Sequence, residues 1–325
     1  MKKSIAVIGQ GFVGGSLTTV FSERGFTVFT YDKAGRQKTA PGGTSLAAVY
    51  NNSLTRNFDS PMGMNPKESV SLLVDLLEKD EELNFSKVYF VCLPTPMYED
   101  GSADLSIVEE VLQELADVPG ERIAVVKSTV PPGSTENWNK KFSSQGLHVI
   151  FNPEFLTEAN ALDDMRNQNR IILGGPRPWI NEVKQIFQAA FPQVPIIKTS
   201  STTAEMVKYM TNNFLTVKVA FANEMAQICE VLDNSGLNVD YDKVVEYAKY
   251  DKRLGDSHWS VPGPDGNRGF GGHCFPKDIN AMIQVSKDLG IDAKVMKASW
   301  EKNLEVRPDR DWEKMVGRAV TSIKK

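Results

Sequence analysis

A glycine-rich turn near the amino terminus constrains the fold of this chain more than any other feature. The sequence Gly9-Gln10-Gly11-Phe12-Val13-Gly14 directly follows the apolar run Ile5–Ile8 and precedes a helix-length stretch. Glycines at this spacing let the backbone approach a pyrophosphate, and a following helix N-terminus offers N–H groups and partial positive charge. The context therefore predicts a dinucleotide site, and the alternative is an ordinary turn in another doubly wound protein. The predicted cofactor-binding residues are Gly9, Gly11, Phe12, Val13 and Gly14.

An acidic residue at the end of the second predicted strand indicates which dinucleotide binds. Asp32 follows the strand Thr27–Tyr31 and stands 18 residues after Gly14. A carboxylate there accepts hydrogen bonds from the ribose hydroxyls and repels a 2′-phosphate. The sequence therefore predicts NAD, while Lys33 and Arg36 leave NADP as the alternative.

Short β-branched runs alternate with helix-length amphipathic stretches through the first part of the chain. The later runs are Lys87–Cys92, Arg122–Val126, His148–Phe151 and Ile171–Leu173. Near-continuous apolar strands separated by helices are typical of a parallel sheet covered on both faces. We therefore expect an α/β, Rossmann-like, doubly wound parallel sheet as the NAD-binding domain over residues 1–200. The aperiodic segment from Ala40 to Lys67 is expected to be an exposed excursion.

The pattern becomes helical after Pro195. Apolar residues recur at helical spacing from Thr202 to Asp233, which predicts one helix about 45 Å long. Shorter helices are predicted over Tyr241–Tyr250, Ile279–Leu289 and Ala293–Leu304, with a Gly/Pro-rich loop over Ser257–Gly272. We therefore expect an all-helical domain for dimerisation and substrate binding over residues 201–325.

Composition excludes several classes of function. The formal net charge of -4 lacks the basic excess of a nucleic-acid binder, and the longest apolar runs are too short to span a membrane. Three cysteines without a CxxC pair predict a reduced, cytoplasmic protein, and no third or fourth ligand accompanies His273 and Cys274 at zinc spacing. The first residues enter a strand at once, so we expect no signal peptide.

Two pairs of polar residues stand four positions apart. Glu154 and Glu158 follow a predicted strand, and Pro153 is expected to begin a helix on which both acids share a face, as a base and a hydroxyl ligand. Alternatively, they only complement the helix dipole. Lys208 and Asn212 lie on the long helix and offer two donors to a developing oxyanion. The alternative is a solvated lysine beside a polar contact between helices.

A cysteine follows a glycine-rich loop and precedes a predicted helix. Cys274 lies within the sequence GFGGHCFPKD, in which Asp278 is one helical turn further on. A helix N-terminus lowers the pKa of a thiol and makes the sulfur a nucleophile, and Asp278 is placed to orient a water or accept its proton. The alternative is a buried small residue. Cys92 and Cys229 lie within apolar patterns and are expected to be inert.

A nucleophilic thiol beside a nicotinamide limits the kinds of reaction that the chain is expected to catalyse. Adding a thiol to an aldehyde gives a thiohemiacetal, loss of hydride gives a thioester, and water then releases an acid. The residues therefore favour oxidation of an alcohol or aldehyde to a carboxylate. A two-electron hydroxy-acid dehydrogenase remains an alternative.

Eight segments in order resemble the UDP-glucose/GDP-mannose dehydrogenase family. They are Gly9–Gly14, Leu93–Pro96, Asp100–Ser106, Lys127–Thr135, Asn152–Glu158, Glu205–Asn212, Asp251–Gly255 and Gly269–Asp278. The resemblance implies four-electron oxidation of the C6 hydroxyl of a UDP-sugar, UDP-glucose first, to the carboxylate of UDP-glucuronate in nucleotide-sugar metabolism for polysaccharide biosynthesis. GDP-mannose, a UDP-N-acetylhexosamine, or a non-catalytic NAD-binding relative are the alternatives. Longer members carry a further α/β domain, so a short form is expected.

The resemblance also implies roles for individual residues. Cys274 would be the nucleophile, Lys208 and Asn212 would stabilise oxyanions, Asp278 with Thr129 would hold the active water, and Glu154 would be the base. Further cofactor-binding residues would be Thr95, Ser128, Thr129 and Glu158. Substrate-binding residues would be Glu154, Phe155, Leu156, Glu158, Lys208, Asn212, Gly269, Phe270 and Gly271, with Arg253 reaching the neighbouring sugar in a homodimer formed through the long helix.

Overall fold

The computed structural model describes residues 4–32, 43–45, 70–79, 81 and 85–322. The chain divides into two compact units, the first comprising Met1–Pro94 and Leu105–Lys208, the second Thr95–Asp104 and Tyr209–Lys325. The sequence predicts a boundary near residue 200 and places Thr95–Asp104 in the first domain, whereas the division observed here falls after Lys208 and transfers that short segment to the second unit.

One sheet organises the first unit. Its strands are β1 (Ser4–Ile8), β2 (Thr27–Tyr31), β3 (Gly43–Ser45), β4 (Val88–Val91), β5 (Arg122–Val126), β6 (Leu147–Phe151), β7 (Ile171–Gly174) and β8 (Ile196–Thr199). The order is β3-β2-β1-β4-β5-β6-β7-β8, which begins with the doubly wound 3-2-1-4-5-6 arrangement and confirms the predicted fold class. Ligands of such sheets bind beyond the carboxyl ends of the strands at the β1/β4 switch point.

Two details of the sheet differ from the prediction. The pairing of β6 with β7 is antiparallel, so the sheet is not parallel throughout. Strand β8 was not predicted, because its apolar run is only Ile196 and Ile197 and this edge strand leaves Ile197 exposed. Strand β3 lies within the predicted Ala40–Lys67 excursion, and the rest of that segment, like Lys33 and Arg36, lies outside the described residues.

Helices cover the sheet on both faces. They are α1 (Phe12–Glu23), α2 (Val70–Lys79), α3 (Ser106–Asp117), α4 (Ser134–Phe142), α5 (Ala161–Arg166) and α6 (Trp179–Ala190). Along β4, Tyr89 and Val91 enter one buried apolar cluster, while Val88 and Phe90 enter the other. Burial on both faces explains why the strands are apolar runs without polar alternation.

The second unit is helical apart from isolated bridges among its described residues. The helix α7 (Ser201–Asn234) begins in the first unit and continues in the second, as the long apolar pattern predicts. It is followed by α8 (Tyr241–Ala248), α9 (Phe275–Asp288) and α10 (Lys294–Val306). Met97 bridges to Val320 and packs with Trp312 in a small core. No helix in the described part of the chain has the length and apolar character needed to cross a bilayer.

Candidate functional site

The turn between β1 and α1 is a cradle in which two glycines are sterically required. Gly9 has a φ of +89°, and a Cβ there would lie 2.4 Å from the carbonyl oxygen of Cys92. A Cβ on Gly14 would lie 1.9 Å from the carbonyl oxygen of Gly9. At Gly11, by contrast, a Cβ would meet nothing within 4 Å, and this residue is the N-cap of α1 without a side-chain cap. Open backbone at an uncapped helix N-terminus fits a pyrophosphate.

Asp32 completes the cradle at the end of β2. Its Oδ2 accepts a hydrogen bond from the backbone N–H of Gln10 at 2.8 Å, so the carboxylate is tied to the glycine turn. The half-buried Phe12 and Val13 are the first residues of α1. Together with the open backbone at Gly11, the placement of Asp32 fits the NAD cofactor that the sequence predicts.

Ser128 joins the ends of two central strands. Its hydroxyl donates to the carbonyl oxygen of Leu93 at 2.7 Å and accepts from the N–H of Leu93 at 3.0 Å. Ser128 therefore fixes the segments after β4 and β5, and Thr129 follows it as a half-buried residue. Thr95, also predicted to bind the cofactor, is buried and belongs to the second unit.

Glu154 is held by a lysine that the sequence analysis did not single out. Lys127 is only 5% exposed, and its Nζ lies 2.9 Å from Glu154 Oε2 and 2.8 Å from Asn152 Oδ1. The position of Lys127, directly after the buried strand β5, is the one signal that pointed to it. A buried lysine is uncommon unless it is paired, so this ion pair is a defined element of the site.

The predicted helix at Pro153 is wrong. Residues 152–157 are not helical, and α5 begins only at Ala161. The reason is local. Glu154 Oε1 accepts hydrogen bonds from the N–H groups of Phe155 at 2.8 Å and Leu156 at 3.2 Å, and these bonds hold the turn in a non-helical conformation. Glu154 and the exposed Glu158 therefore do not share a helical face.

Lys208 contacts Glu154 and Phe155, and all three residues lie in the first unit. Its buried ammonium donates to the backbone carbonyl oxygen of Glu154 and lies 5.6 Å from the centre of the Phe155 ring. Glu205, one turn earlier on α7, accepts the N–H groups of Gly133 at 2.6 Å and Thr135 at 2.8 Å. Burial raises the pKa of Glu205. Its carboxylate anchors the start of α7, a role that the sequence analysis missed.

Cys274 and Asp278 stand at the start of α9. Cys274 is the half-buried N-cap residue of this helix. Asp278 is 1% exposed; its Oδ2 accepts from Asn212 Nδ2 at 2.6 Å and its Oδ1 lies 2.5 Å from Lys277 Nζ. Asn212 and Asp278 are thus brought together, and the buried Lys277 is a further partner that the sequence analysis missed.

The loop before Cys274 is fixed by asparagines. The N–H of Gly269 donates to Asn223 Oδ1 at 3.2 Å. Asn303 accepts from the N–H of Phe270 at 2.7 Å and donates to its carbonyl oxygen at 2.9 Å. Arg253 is not part of this arrangement, because its exposed side chain pairs with Asp251 in the same turn.

Comparison with known proteins shows to which family this chain is similar. Residues 3–191 match the NAD binding domain of the UDP-glucose/GDP-mannose dehydrogenase family, and residues 202–305 match its central domain. The chain belongs to this family. Membership confirms the predicted resemblance, the NAD cofactor and the class of NAD-dependent nucleotide-sugar dehydrogenases.

Individual relatives are similar over almost the whole chain. A UDP-glucose 6-dehydrogenase of Rickettsia bellii is 31% identical, over 93% of this chain and 67% of that protein. A UDP-glucose 6-dehydrogenase of Bacillus subtilis is 32% identical, over 94% of this chain and 64% of that protein. The solved structure of a UDP-glucose dehydrogenase from the hyperthermophilic archaeon Pyrobaculum islandicum is 27% identical, with a TM-score of 0.70 over 94% of this chain and 68% of that one. The chain spans about two thirds of the length of these relatives.

The other two cysteines lie in packed regions of the chain. None of the three cysteines forms a disulfide. Burial raises the pKa of Cys92 to about 12, which keeps this thiol protonated at neutral pH, and Cys229 is buried on α7. Within residues 4–32, 43–45, 70–79, 81 and 85–322, no three His, Cys, Asp or Glu side chains are grouped so as to hold a metal ion.

Removing the ammonium of Lys127 is expected to destabilise the first unit strongly. In Lys127→Ala the Glu154 carboxylate keeps its place but loses its partner, which costs about 3 kcal/mol for a buried pair. Urea unfolding followed by circular dichroism measures the loss. Lys140→Ala is the control, because Lys140 pairs with Glu136 on an exposed helix face. Equal stability of the two variants would contradict this account of the pair.

Proposed function

We propose that this protein oxidises the C6 hydroxyl of a nucleotide sugar, UDP-glucose before other sugars, to a carboxylate. One alcohol, one water and two NAD⁺ give one carboxylate, two NADH and three protons. The observation that carries the proposal is Cys274 at the N-cap of α9, one turn before an Asp278 carboxylate held by Asn212 and Lys277. A simple alcohol dehydrogenase needs no such thiol.

The first stage forms an aldehyde. Bound NAD supplies a hydride acceptor in each of the two oxidation stages. The glycine turn and Asp32 hold the cofactor, and Glu154 is the proposed base that removes the proton of the hydroxyl. The ammonium of Lys208, held at the carbonyl oxygen of Glu154, is the proposed donor to the oxygen that develops negative charge.

The second stage uses the thiol. Cys274 adds to the aldehyde carbon as a thiolate, and the resulting thiohemiacetal loses hydride to become a thioester. Asn212 carries two N–H bonds on its amide nitrogen; one serves Asp278, and the other is the proposed donor to the oxyanion. Water positioned by Asp278 then cleaves the carbon–sulfur bond, which releases the carboxylate and restores the thiol.

The test is the amount of NADH formed from a limiting amount of UDP-glucose. Two NADH per sugar support the proposal, and one NADH per sugar supports a two-electron dehydrogenase instead. A parallel panel with GDP-mannose and UDP-N-acetylhexosamines identifies the preferred sugar, and no turnover of any nucleotide sugar rejects the proposal.

A second candidate is a non-catalytic NAD-binding relative that cannot hold a sugar nucleotide. Its support is the match of residues 3–191 to the NAD binding domain of the family, which by itself requires no sugar chemistry. Calorimetry in the presence of NAD separates the two, because this candidate requires that UDP-glucose does not bind.

We also propose a homodimer formed through α7, in the cytoplasm, where the three thiols stay reduced. Four apolar side chains recur on one stripe of α7 and are exposed in the single chain: Met206, Met210, Phe214 and Phe221. Exposed apolar stripes of this kind are typical of interfaces. In such a dimer Arg253, which pairs with Asp251 within its own turn, is the proposed contact to the sugar of the neighbouring subunit.

Charge on this stripe is expected to separate the subunits. Phe214 is 62% exposed, and Phe214→Glu should raise the dimer dissociation constant by about 30-fold or more, because a carboxylate would be buried without a partner. Sedimentation velocity over a concentration series measures the change. Ile197→Glu, on the exposed edge strand β8, is the control, and a wild-type monomer or an unaffected Phe214→Glu dimer would contradict the proposal.

A further inference from the structure

A buried arginine follows α10 in the second unit. Arg307 is only 4% exposed, yet its guanidinium binds two carboxylates. Nε lies 2.6 Å from Asp311 Oδ1, Nη2 lies 2.7 Å from Asp265 Oδ2, and Nη1 donates to the carbonyl oxygen of Arg268 at 3.3 Å. A guanidinium that binds two carboxylates holds them in a fixed geometry, because its N–H donors lie in one plane.

The contacts of Arg307 and its two carboxylate partners hold the loop that leads to Cys274. The N–H of Gly272 donates to Asp311 Oδ2 at 2.9 Å, so Asp311 connects the arginine to the loop backbone. A Cβ on Gly271 would lie 2.3 Å from Arg307 Nη2, which shows that the backbone packs directly against the guanidinium. Arg307 therefore contacts the loop directly at Asp265 and at Gly271, and through Asp311 at Gly272, two residues before the cysteine.

The ionisation of Asp311 and of Asp265 depends on the charge of Arg307. Burial opposes ionisation of Asp311, but its bonds to Arg307 and to the N–H of Gly272 hold the pKa of this carboxyl below its usual range. Asp265 is affected in the same way, with burial outweighed by Arg307. Removing the guanidinium would leave the carboxylates of Asp265 and Asp311 without their shared counter-charge, which would push the loop out of this conformation.

We propose that Arg307 is the positioning residue for Cys274. By fixing Gly271 and Gly272 it sets the backbone at the N-cap of α9, where the sulfur must meet its carbonyl carbon. The proposal rests on the proposed function in that Cys274 is the nucleophile. It differs from a purely structural role, in which loss of the arginine would lower stability and leave the thiol unchanged.

The test compares Arg307→Gln with Arg310→Gln in the full chain. Arg310 is exposed and pairs only with Glu313 among the contacts of its guanidinium, so it is a matched control three residues away. We measure the rate at which iodoacetamide alkylates Cys274, by peptide mass spectrometry, beside the melting temperature. Arg307→Gln should slow alkylation by about fivefold or more, because the thiolate loses its aligned helix N–H groups, and Arg310→Gln should match the wild type.

Two further measurements separate positioning from stability. Arg307→Lys retains one positive charge and should recover part of the alkylation rate. In turnover, Arg307→Gln should lower kcat and leave the KM for NAD unchanged, since the glycine cradle lies in the first unit. Should Arg307→Gln fail to fold, Asp311→Ala removes the acceptor of the Gly272 N–H, keeps the arginine, and should also slow alkylation.

Alkylation at the wild-type rate in a folded Arg307→Gln or Asp311→Ala protein overturns the proposal, whatever happens to the melting temperature. Alkylation does not require a sugar. If Arg307→Gln slows the alkylation of Cys274 but the protein oxidises no nucleotide sugar, the proposed function is therefore rejected and the positioning role is kept.

Discussion

Replacing Cys274 with serine is expected to lower the rate of carboxylate formation by about 10³-fold or more. Serine keeps the size and the position at the N-cap of α9 but offers a hydroxyl, which is a far weaker nucleophile than a thiolate at neutral pH. The first oxidation requires only a base and a hydride acceptor, so it should persist. The NADH yield should therefore fall from two per UDP-glucose to at most one.

The control for this variant is Cys229→Ala. Cys229 is buried on α7, and its replacement should affect stability without changing the NADH yield. An unchanged rate and two NADH per sugar in Cys274→Ser would mean that the thiol takes no part, and a two-electron dehydrogenase acting twice would replace the mechanism above.

The second large effect is expected for Lys208→Met. Methionine preserves the length of the apolar stem beside Phe155, but it removes the ammonium that now donates to the carbonyl oxygen of Glu154. Loss of one donor to a developing oxyanion typically lowers kcat by about 10²- to 10³-fold. Steady-state rates with saturating NAD and UDP-glucose measure it.

Lys198→Met is the matched control for the lysine. Lys198 is exposed on β8 and bonds only to Asn181 Oδ1 among the contacts described for its ammonium. Its variant should keep the wild-type kcat. A Lys208→Met enzyme whose kcat stays within about threefold of the wild type would remove Lys208 from the proposed oxyanion site.

Local patterns predicted the fold well. Burial of strands such as β4 on both faces produces the continuous apolar runs that identify a covered sheet, and α7 appears in the sequence as one uninterrupted helical period. The glycine turn was equally visible, because a Cβ on Gly9 or Gly14 would collide with backbone atoms, of Cys92 and of Gly9 respectively, so both positions require glycine.

The partners of the site residues were not predictable in the same way. Lys127 meets Glu154 across two neighbouring strand ends, and Glu205 caps a helix that begins 71 positions earlier at Ser134. Such pairings depend on the tertiary fold and leave no periodic signal. The predicted helix at Pro153 failed because helix-start statistics do not register a carboxylate that folds back onto its own following N–H groups.

The most direct measurement of the central claim is the intact mass of Asp278→Asn after incubation with NAD and UDP-glucose and an acid quench. This variant lacks the carboxylate that we assign to the water, so the acyl group should accumulate on the protein. The account predicts an added UDP-sugar mass that maps to Cys274 and is absent from an Asp278→Asn, Cys274→Ala double variant. Formation of the carboxylate product by Asp278→Asn without any adduct, or with an adduct on another residue, would contradict it.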